Sequence, residues 1–254
     1  MNSQTDTRPR FLVIGGGPAG TTFATTAAAR GAAVTIIEKD VVGGAAHLWD
    51  CIPSKTMTAS AVRIESVRNA SKLGLLTDPG NVDTSRLSMR IKAITGNINS
   101  SLVNLLESQS VELIHGRGEF VGPNQAVAHT SDGDRDISFD KALISTGSAP
   151  RVPDWAEVDG ERILTTRHAY DLAEVPGHMI VIGSGVTGVE FTHIFQSLGA
   201  QTTLVVSRQQ ILPHRDPEVV NHPGFDAHSH AWEGGDHAEE IRRGNQGQGG
   251  SSGC

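Results

Sequence analysis

The stretch Phe11-Leu-Val-Ile-Gly-Gly-Gly-Pro-Ala-Gly20 decides the fold. Four apolar residues in a row read as a short strand, and Gly15, Gly17 and Gly20 follow with the spacing Gly-x-Gly-x-x-Gly. An alanine-rich segment ending near Gly31 reads as a helix, and Ala33-Val-Thr-Ile-Ile37 as a second strand leading into Glu38. In such a unit the first glycine makes a tight turn, the second lets the backbone approach a pyrophosphate, and the third lets helix and strand pack closely. The helix start offers unpaired N–H groups and a positive dipole end to the phosphates. Glu38 stands about 20 residues past the turn, where an acid accepts hydrogen bonds from ribose hydroxyls. A glycine triplet alone is commonly an ordinary turn; strand, helix, second strand and acid in this order point to a dinucleotide site in an α/β fold.

The unit recurs. Ile180-Val-Ile182 is a strand, Gly183, Gly185 and Gly188 repeat the glycine spacing, Gly199 closes a helix, and Thr202-Thr-Leu-Val-Val206 is the next strand. Gly183 lies 168 residues after Gly15, and the same shift superposes Gly17, Gly20, Phe23 and Gly31 on Gly185, Gly188, Phe191 and Gly199. Two such sites imply two dinucleotides. The shift also carries Glu38 onto Val206, so the second site lacks the acid, and Ser207 and Arg208 follow. Arg208 reads either as a partner for the 2′-phosphate of NADPH or as a solvated loop residue, which leaves NADPH and NADH both open.

Between the units, residues 82–108 carry Ile91, Ile94, Ile98, Leu102, Leu105 and Leu106 at helical spacing, predicting an amphipathic helix over the sheet. Val111-Glu-Leu-Ile114, Gln125-Ala-Val-Ala-His129 and Ile137-Ser-Phe139 read as short strands, with Asp132-Gly133 as a hairpin turn signal, and a small antiparallel meander is expected beside the two glycine-turn units. His115 and His129 fall on these strands with no base or nucleophile assigned to them.

The chain has 254 residues, 37% apolar, with a net charge of −7 that gives no reason to expect nucleic acid. No apolar run approaches the ~18 residues of a membrane span, the N-terminus lacks the apolar centre of a signal peptide, and a cytoplasmic location is expected. Two cysteines, Cys51 and Cys254, are too few for a disulfide scaffold.

The segment Gly43-Gly-Ala-Ala-His-Leu-Trp-Asp-Cys-Ile-Pro-Ser-Lys55 resembles the Gly-Gly-x-Cys-x-x-x-x-Cys-x-Pro-Ser-Lys signature of the FAD-dependent pyridine nucleotide-disulfide oxidoreductases, the lipoamide dehydrogenase and glutathione reductase family. Lys141-Ala-Leu-Ile-Ser-Thr-Gly-Ser-Ala-Pro150 is similar to the family's Ala-Thr-Gly-Ser-x-Pro stretch, where the chain leaves the FAD domain. The resemblance implies FAD at the first glycine turn, contacted by Gly15, Gly17, Gly20, Glu38, Gly44 and Ala45, with Gly118 near the adenine and Thr146 and Gly147 near the flavin. It implies NADPH or NADH at Gly183, Gly185 and Gly188, with Arg208 beside it. Lys55 is expected beside the flavin ring, paired with Glu190, whose place after Gly188 matches the family's Gly-x-Glu. Cys51, Lys55 and Glu190 are therefore the candidate catalytic residues, and no metal site is expected.

The first of the family's two redox cysteines is Ala46 here. Disulfide exchange needs an attacking thiolate and a partner sulfur, so this pattern disfavours dihydrolipoyl dehydrogenase chemistry. Cys51 then serves either as a contact that tunes the flavin or as a small buried residue. Electrons leaving the flavin directly suit a diffusible, quinone-like acceptor, and the Ala46 with Cys51 variant resembles the actinobacterial NAD(P)H quinone reductases; the soluble transhydrogenase branch resembles the mirror case.

Residues 1–150 are thus expected to form an FAD-binding segment and residues 151–220 a truncated NAD(P)-binding domain. The polar, glycine-rich residues 221–254, including His222, His228, His230 and His237, read as a disordered tail without metal-ligand spacing. The family is homodimeric, and its second FAD segment and its dimerisation domain, with a His-Glu acid-base pair, have no counterpart here. The abrupt change near Asn221 reads as a frameshifted or truncated product, with a non-catalytic dinucleotide-binding fragment as the alternative to an enzyme.

Overall fold

A computed structural model describes residues 7–48, 50–78, 80–206 and 211–212. Arg208 and the expected tail lie outside the described residues. The chain divides into two units: Met1–Met57 with Asp83–Arg151 and Gly160–Ala173, and Thr58–Val82 with Val152–Asp159 and Glu174–Cys254.

In the first unit, strand β1 (Arg10–Ile14) leads through the glycine turn into helix α1 (Pro18–Ala29), and strand β2 (Ala33–Glu38) follows. β1 pairs in parallel with β2 from Arg10 opposite Ala33 to Ile14 opposite Ile37. β3 (Glu112–His115) adds to the far side of β2, and β7 (Lys141–Ile144) to the far side of β1. The order β3-β2-β1-β7 puts a reversal of strand order at β1, and ligands of open α/β sheets bind beyond the strand ends at such a switch.

Alternation along each strand sends side chains to opposite faces. Leu12, Ile14, Ile37 and Ile114 pack on one face with Ala126, Ala128 and Phe139, whereas Val13, Val34 and Ile36 pack on the other with Ala24 and Leu106. Both faces are therefore covered, which is why these strands read as unbroken apolar runs. The second face is covered by α1 and by α4 (Thr84–Ser108), whose N-cap Asp83 accepts the Arg86 amide. Leu87, Ile91 and Leu106 are buried as the helical spacing predicts, but Leu105 is exposed, lying one position off the stripe that faces the sheet.

The first face is covered by an antiparallel meander of β4 (Arg117–Gly122), β5 (Gln125–Thr130) and β6 (Gly133–Ser138). β4 was not evident as a strand, since Gly118 and Gly122 weaken its pattern. β6 begins at Gly133, so the turn is Ser131-Asp132, and Gly133 enters the strand at φ +118°. Two further helices belong here: α2 (Gly44–Leu48) and the start of α3 (Cys51–Asn69), whose residues from Thr58 onward fall in the second unit.

In the second unit a 3-10 turn, Ala70–Leu73, follows α3. Strand β8 (His178–Ile182), helix α5 (Val186–Leu198) and strand β9 (Gln201–Val205) form a β-α-β motif with parallel strands. Phe191, Ile194, Phe195 and Leu198 bury one face of α5, while Ile180 and Ile182 of β8 remain half exposed. Arg68 of α3 donates to the Ser197 and Leu198 carbonyls at the end of α5, placing a cation at the negative end of that helix. No described helix is long and apolar enough to cross a membrane.

Candidate functional site

The first glycine turn is built as its sequence demands. Gly15 takes φ +102°, and a Cβ there would run into the Ser145 carbonyl and stand 3.0 Å from the Thr146 Cα. A Cβ on Gly20 would collide with the Gly15 carbonyl oxygen, so helix and turn pack at backbone distance. Gly17, the α1 N-cap, has no side-chain cap, and nothing would meet a Cβ placed there. The helix start thus faces open space with its amides free for an anion.

Glu38 is buried at the end of β2, and its Oε2 accepts the Gly16 amide at 2.6 Å while Oε1 accepts the Asp40 amide at 2.8 Å. A carboxylate has about four acceptor positions, so two amides leave capacity for hydroxyl donors.

The Gly-Gly of the redox motif docks onto this turn. The Gly43 amide donates to the Gly16 carbonyl at 2.8 Å, and Gly44, at φ +59°, would press a Cβ to 3.0 Å from the Gly17 Cα. Ala45 and Ala46 follow in α2, and the Ala45 carbonyl accepts the Asp50 amide at 2.7 Å. Cys51 opens α3 and is exposed, so it is not a small buried residue. Ser54 is buried beneath it and donates to its carbonyl at 3.1 Å, while Lys55 is exposed on the first unit. His47, not anticipated, has its Nδ1 buried with no hydrogen-bond partner among the described residues.

Ser145 was also passed over, because the resemblance stops at the following Thr-Gly. Its Oγ donates to the Gly15 carbonyl at 2.9 Å and its amide to the Ile14 carbonyl at 2.8 Å. Thr146 and Gly147, the latter at φ +67°, come next and are exposed. Gly118 lies over the ends of β1 and β2: a Cβ would meet Ile14 Cδ1 at 3.0 Å and Ile37 Cδ1 at 3.2 Å. A side chain there would crowd the ends of both isoleucines, which would have to shift by a few tenths of an ångström.

The second turn repeats several backbone bonds of the first. Gly183 donates to the Val205 carbonyl as Gly15 does to that of Ile37, and Val189 to Gly185 as Thr21 does to Gly17. Gln201 donates to Gly177 as Ala33 does to Pro9, each pair 168 residues apart. Gly188 would clash with the Gly183 carbonyl, and Gly185 faces open space. At the Glu38 equivalent stands buried Val206, which offers no acceptor side chain. Glu190 of α5 is half-buried, and Thr58 Oγ1 donates to its Oε1 at 3.3 Å. Lys55 and Glu190 belong to different units. No group of three or more His, Cys, Asp or Glu side chains that could hold a metal occurs among the described residues.

Two β-α-β motifs with matching glycine turns, the first of them met by the Gly43-Gly44 segment, define an α/β protein of Rossmann type. The chain belongs to the pyridine nucleotide-disulphide oxidoreductase family, whose profile matches residues 9–222. It is 38% identical over 223 residues to an NAD(P)H dehydrogenase (quinone) of Mycobacterium tuberculosis, covering 83% of this chain and 45% of that protein. It is 32% identical over 217 residues to dihydrolipoyl dehydrogenase 2 of Haloarcula marismortui, covering 84% and 46%. Among solved structures it is similar to LpdA of Mycobacterium tuberculosis, with a TM-score of 0.75, 36% identity and coverage of 84% and 48%. The HOCl-induced flavoprotein disulfide reductase RclA of Escherichia coli matches with a TM-score of 0.71, 26% identity and coverage of 83% and 45%. The chain thus spans less than half the length of these relatives.

Proposed function

We propose that the chain carries the dinucleotide-binding part of an FAD-dependent oxidoreductase that takes hydride from NADPH or NADH and delivers electrons to a diffusible, quinone-like acceptor without a redox disulfide. The observation that carries this reading is the docking of Gly43 and Gly44 on Gly16 and Gly17, which joins a single-thiol motif to the first dinucleotide turn. The free amides at Gly17, the partly committed Glu38 carboxylate and the open space beside Gly17 fit the pyrophosphate and ribose of FAD. When bound, the flavin supplies the ring chemistry that links hydride transfer to the acceptor, while the protein sets geometry and electrostatics.

In this assignment residues 1–150 are the FAD segment and residues 151–220 the NAD(P) segment. Gly15, Gly17 and Gly20 shape the first phosphate cradle; Gly183, Gly185 and Gly188 shape the second. Gly44, Ala45, Gly118, Thr146 and Gly147 border the first cofactor, and Arg208 is the candidate contact for a 2′-phosphate. Lys55 supplies positive charge near the ring, and such a charge favours added electron density; Glu190 is the candidate acid of the second unit. Cys51 is a neighbour of the ring with no second sulfur at Ala46. The similarity to the NAD(P)H dehydrogenase (quinone) favours the quinone acceptor.

The test is anaerobic. The full chain with FAD is expected to lose flavin absorbance on adding NADPH or NADH, to recover it with menadione, and to leave dihydrolipoamide untouched. A colourless chain that never bleaches added FAD supports the second reading, a non-catalytic fragment that binds a dinucleotide. Oxidation of dihydrolipoamide would instead establish the dihydrolipoyl dehydrogenase reading.

A further inference from the structure

Residues 160–173 form a strap in the first unit that the sequence pattern left without a role. It is organised around His168, whose Nδ1 accepts the Thr165 amide at 3.2 Å and whose own amide donates to the Thr165 carbonyl at 3.0 Å. Ala169 and Tyr170 are buried, so the strap is packed down rather than loose.

Its polar anchors fall on three places. On α4, Asp171 accepts from Lys92 Nζ at 2.7 Å and from Ser88, and Thr84 donates to the Ala173 carbonyl at 2.6 Å. Lys92 and then Ser88 hold the Asp171 carboxyl below its usual range. After β2, Arg167 pairs with Asp40, two residues beyond Glu38. Between α2 and α3, Thr166 Oγ1 donates to Asp50 Oδ1 at 3.2 Å, and the Tyr170 hydroxyl donates to the Asp50 carbonyl over a longer 3.4 Å.

Asp50 is therefore held at every polar group it owns. Its amide goes to Ala45, its carbonyl takes Tyr170, and its carboxylate takes Thr166. The next residue is Cys51, the first of α3. A first-turn residue has few intrahelical bonds of its own to fix it, so its placement depends on what precedes it. We infer that Thr166 and Tyr170 are positioning residues: through Asp50 they fix the α2–α3 junction, and with it the direction in which Cys51 is presented. The relevance of that direction to a flavin rests on the function proposed above; the pinning itself does not.

The test uses the full chain without cofactor, so its failure is distinct from failure of the flavin reading. Amide hydrogen exchange is followed in wild type, Thr166→Val, Thr166→Ser and Tyr170→Phe. Removing a hydrogen bond of ordinary strength should accelerate exchange across residues 45–54 about 3- to 10-fold in Thr166→Val. Tyr170→Phe should give a smaller change, Thr166→Ser should restore the wild-type rate, and β1 and β2 should be unaffected. Unchanged exchange over residues 45–54, equal acceleration in β1 and β2, or outright loss of the folded state in Thr166→Val would each overturn the inference.

Discussion

Glu38 is buried at the end of β2 with its Oε2 2.6 Å from the Gly16 amide, so the acid proposed for the first dinucleotide site is a brace for the glycine turn. Replacing it with Gln keeps the shape and an acceptor oxygen but removes the charge that strengthens both amide bonds. Glu38→Gln should lower stability by about 1 kcal/mol, the difference between a charged and a neutral hydrogen bond, and weaken FAD binding about tenfold. Urea denaturation and flavin titration measure the two effects separately, and equal FAD affinity in the variant would remove Glu38 from the site.

Gly17 and Gly20 should respond unequally to a methyl group. Gly20→Ala drives a Cβ into the Gly15 carbonyl and should cost about 1–3 kcal/mol of stability, as overpacked sites do. Gly17→Ala meets nothing and should cost less than about 1 kcal/mol at an N-cap, while impairing dinucleotide binding. Equal melting shifts for the two variants would contradict this division of labour.

Across the meander, His129 Nδ1 lies 2.8 Å from Asp134 and Nε2 lies 3.4 Å from Glu119. The Asp134 hydrogen bond raises the His129 pKa above its usual value; burial opposes it, and the Asp134 charge and then the hydrogen bond and charge of Glu119 add to the rise. Because the folded pKa is raised, the stabilisation is full below the unfolded value near 6.5 and is lost as pH rises through the folded value. Proton NMR of His129 should show this titration, and Asp134→Asn should move it down. A His129 midpoint unmoved in Asp134→Asn would refute the pairing.

Arg68→Met retains the apolar stem but removes the cation from the Ser197 and Leu198 carbonyls. A loss of about 1 kcal/mol is expected, read as a lower urea midpoint with unchanged slope. Salt should narrow the gap between the variant and wild type only slightly, since the guanidinium is part-buried.

Both turns and their 168-residue repeat were legible because backbone collision demands glycine at Gly15, Gly20 and Gly188 and a positive φ favours it at Gly183, constraints that act on one position at a time. The place of Glu38 at the end of β2 was legible from the strand pattern before it. The strap over Asp50 was not, since Thr166 and Tyr170 act across more than a hundred residues and their types carry no periodic signal. Ser145 escaped because a serine beside Thr-Gly looks like loop polarity, and β4 because Gly118, which packs on Ile14 and Ile37, and Gly122 interrupt its pattern. Leu105 shows the limit of counting helical positions, as a residue one step off the stripe faces solvent.

The bond from Ser145 to the Gly15 carbonyl spans 130 residues of chain. At about 5–20 residues per second of synthesis, the phosphate turn waits on the order of ten seconds after its own translation for the strand that completes it. Through that interval β1 can pair with β2 but keeps its other edge open, an apolar strand edge of the kind that seeks foreign partners. The earliest-made part of the site is therefore among the last to be finished, and a pause in translation before β7 would leave the nascent chain most exposed to aggregation at its first strand.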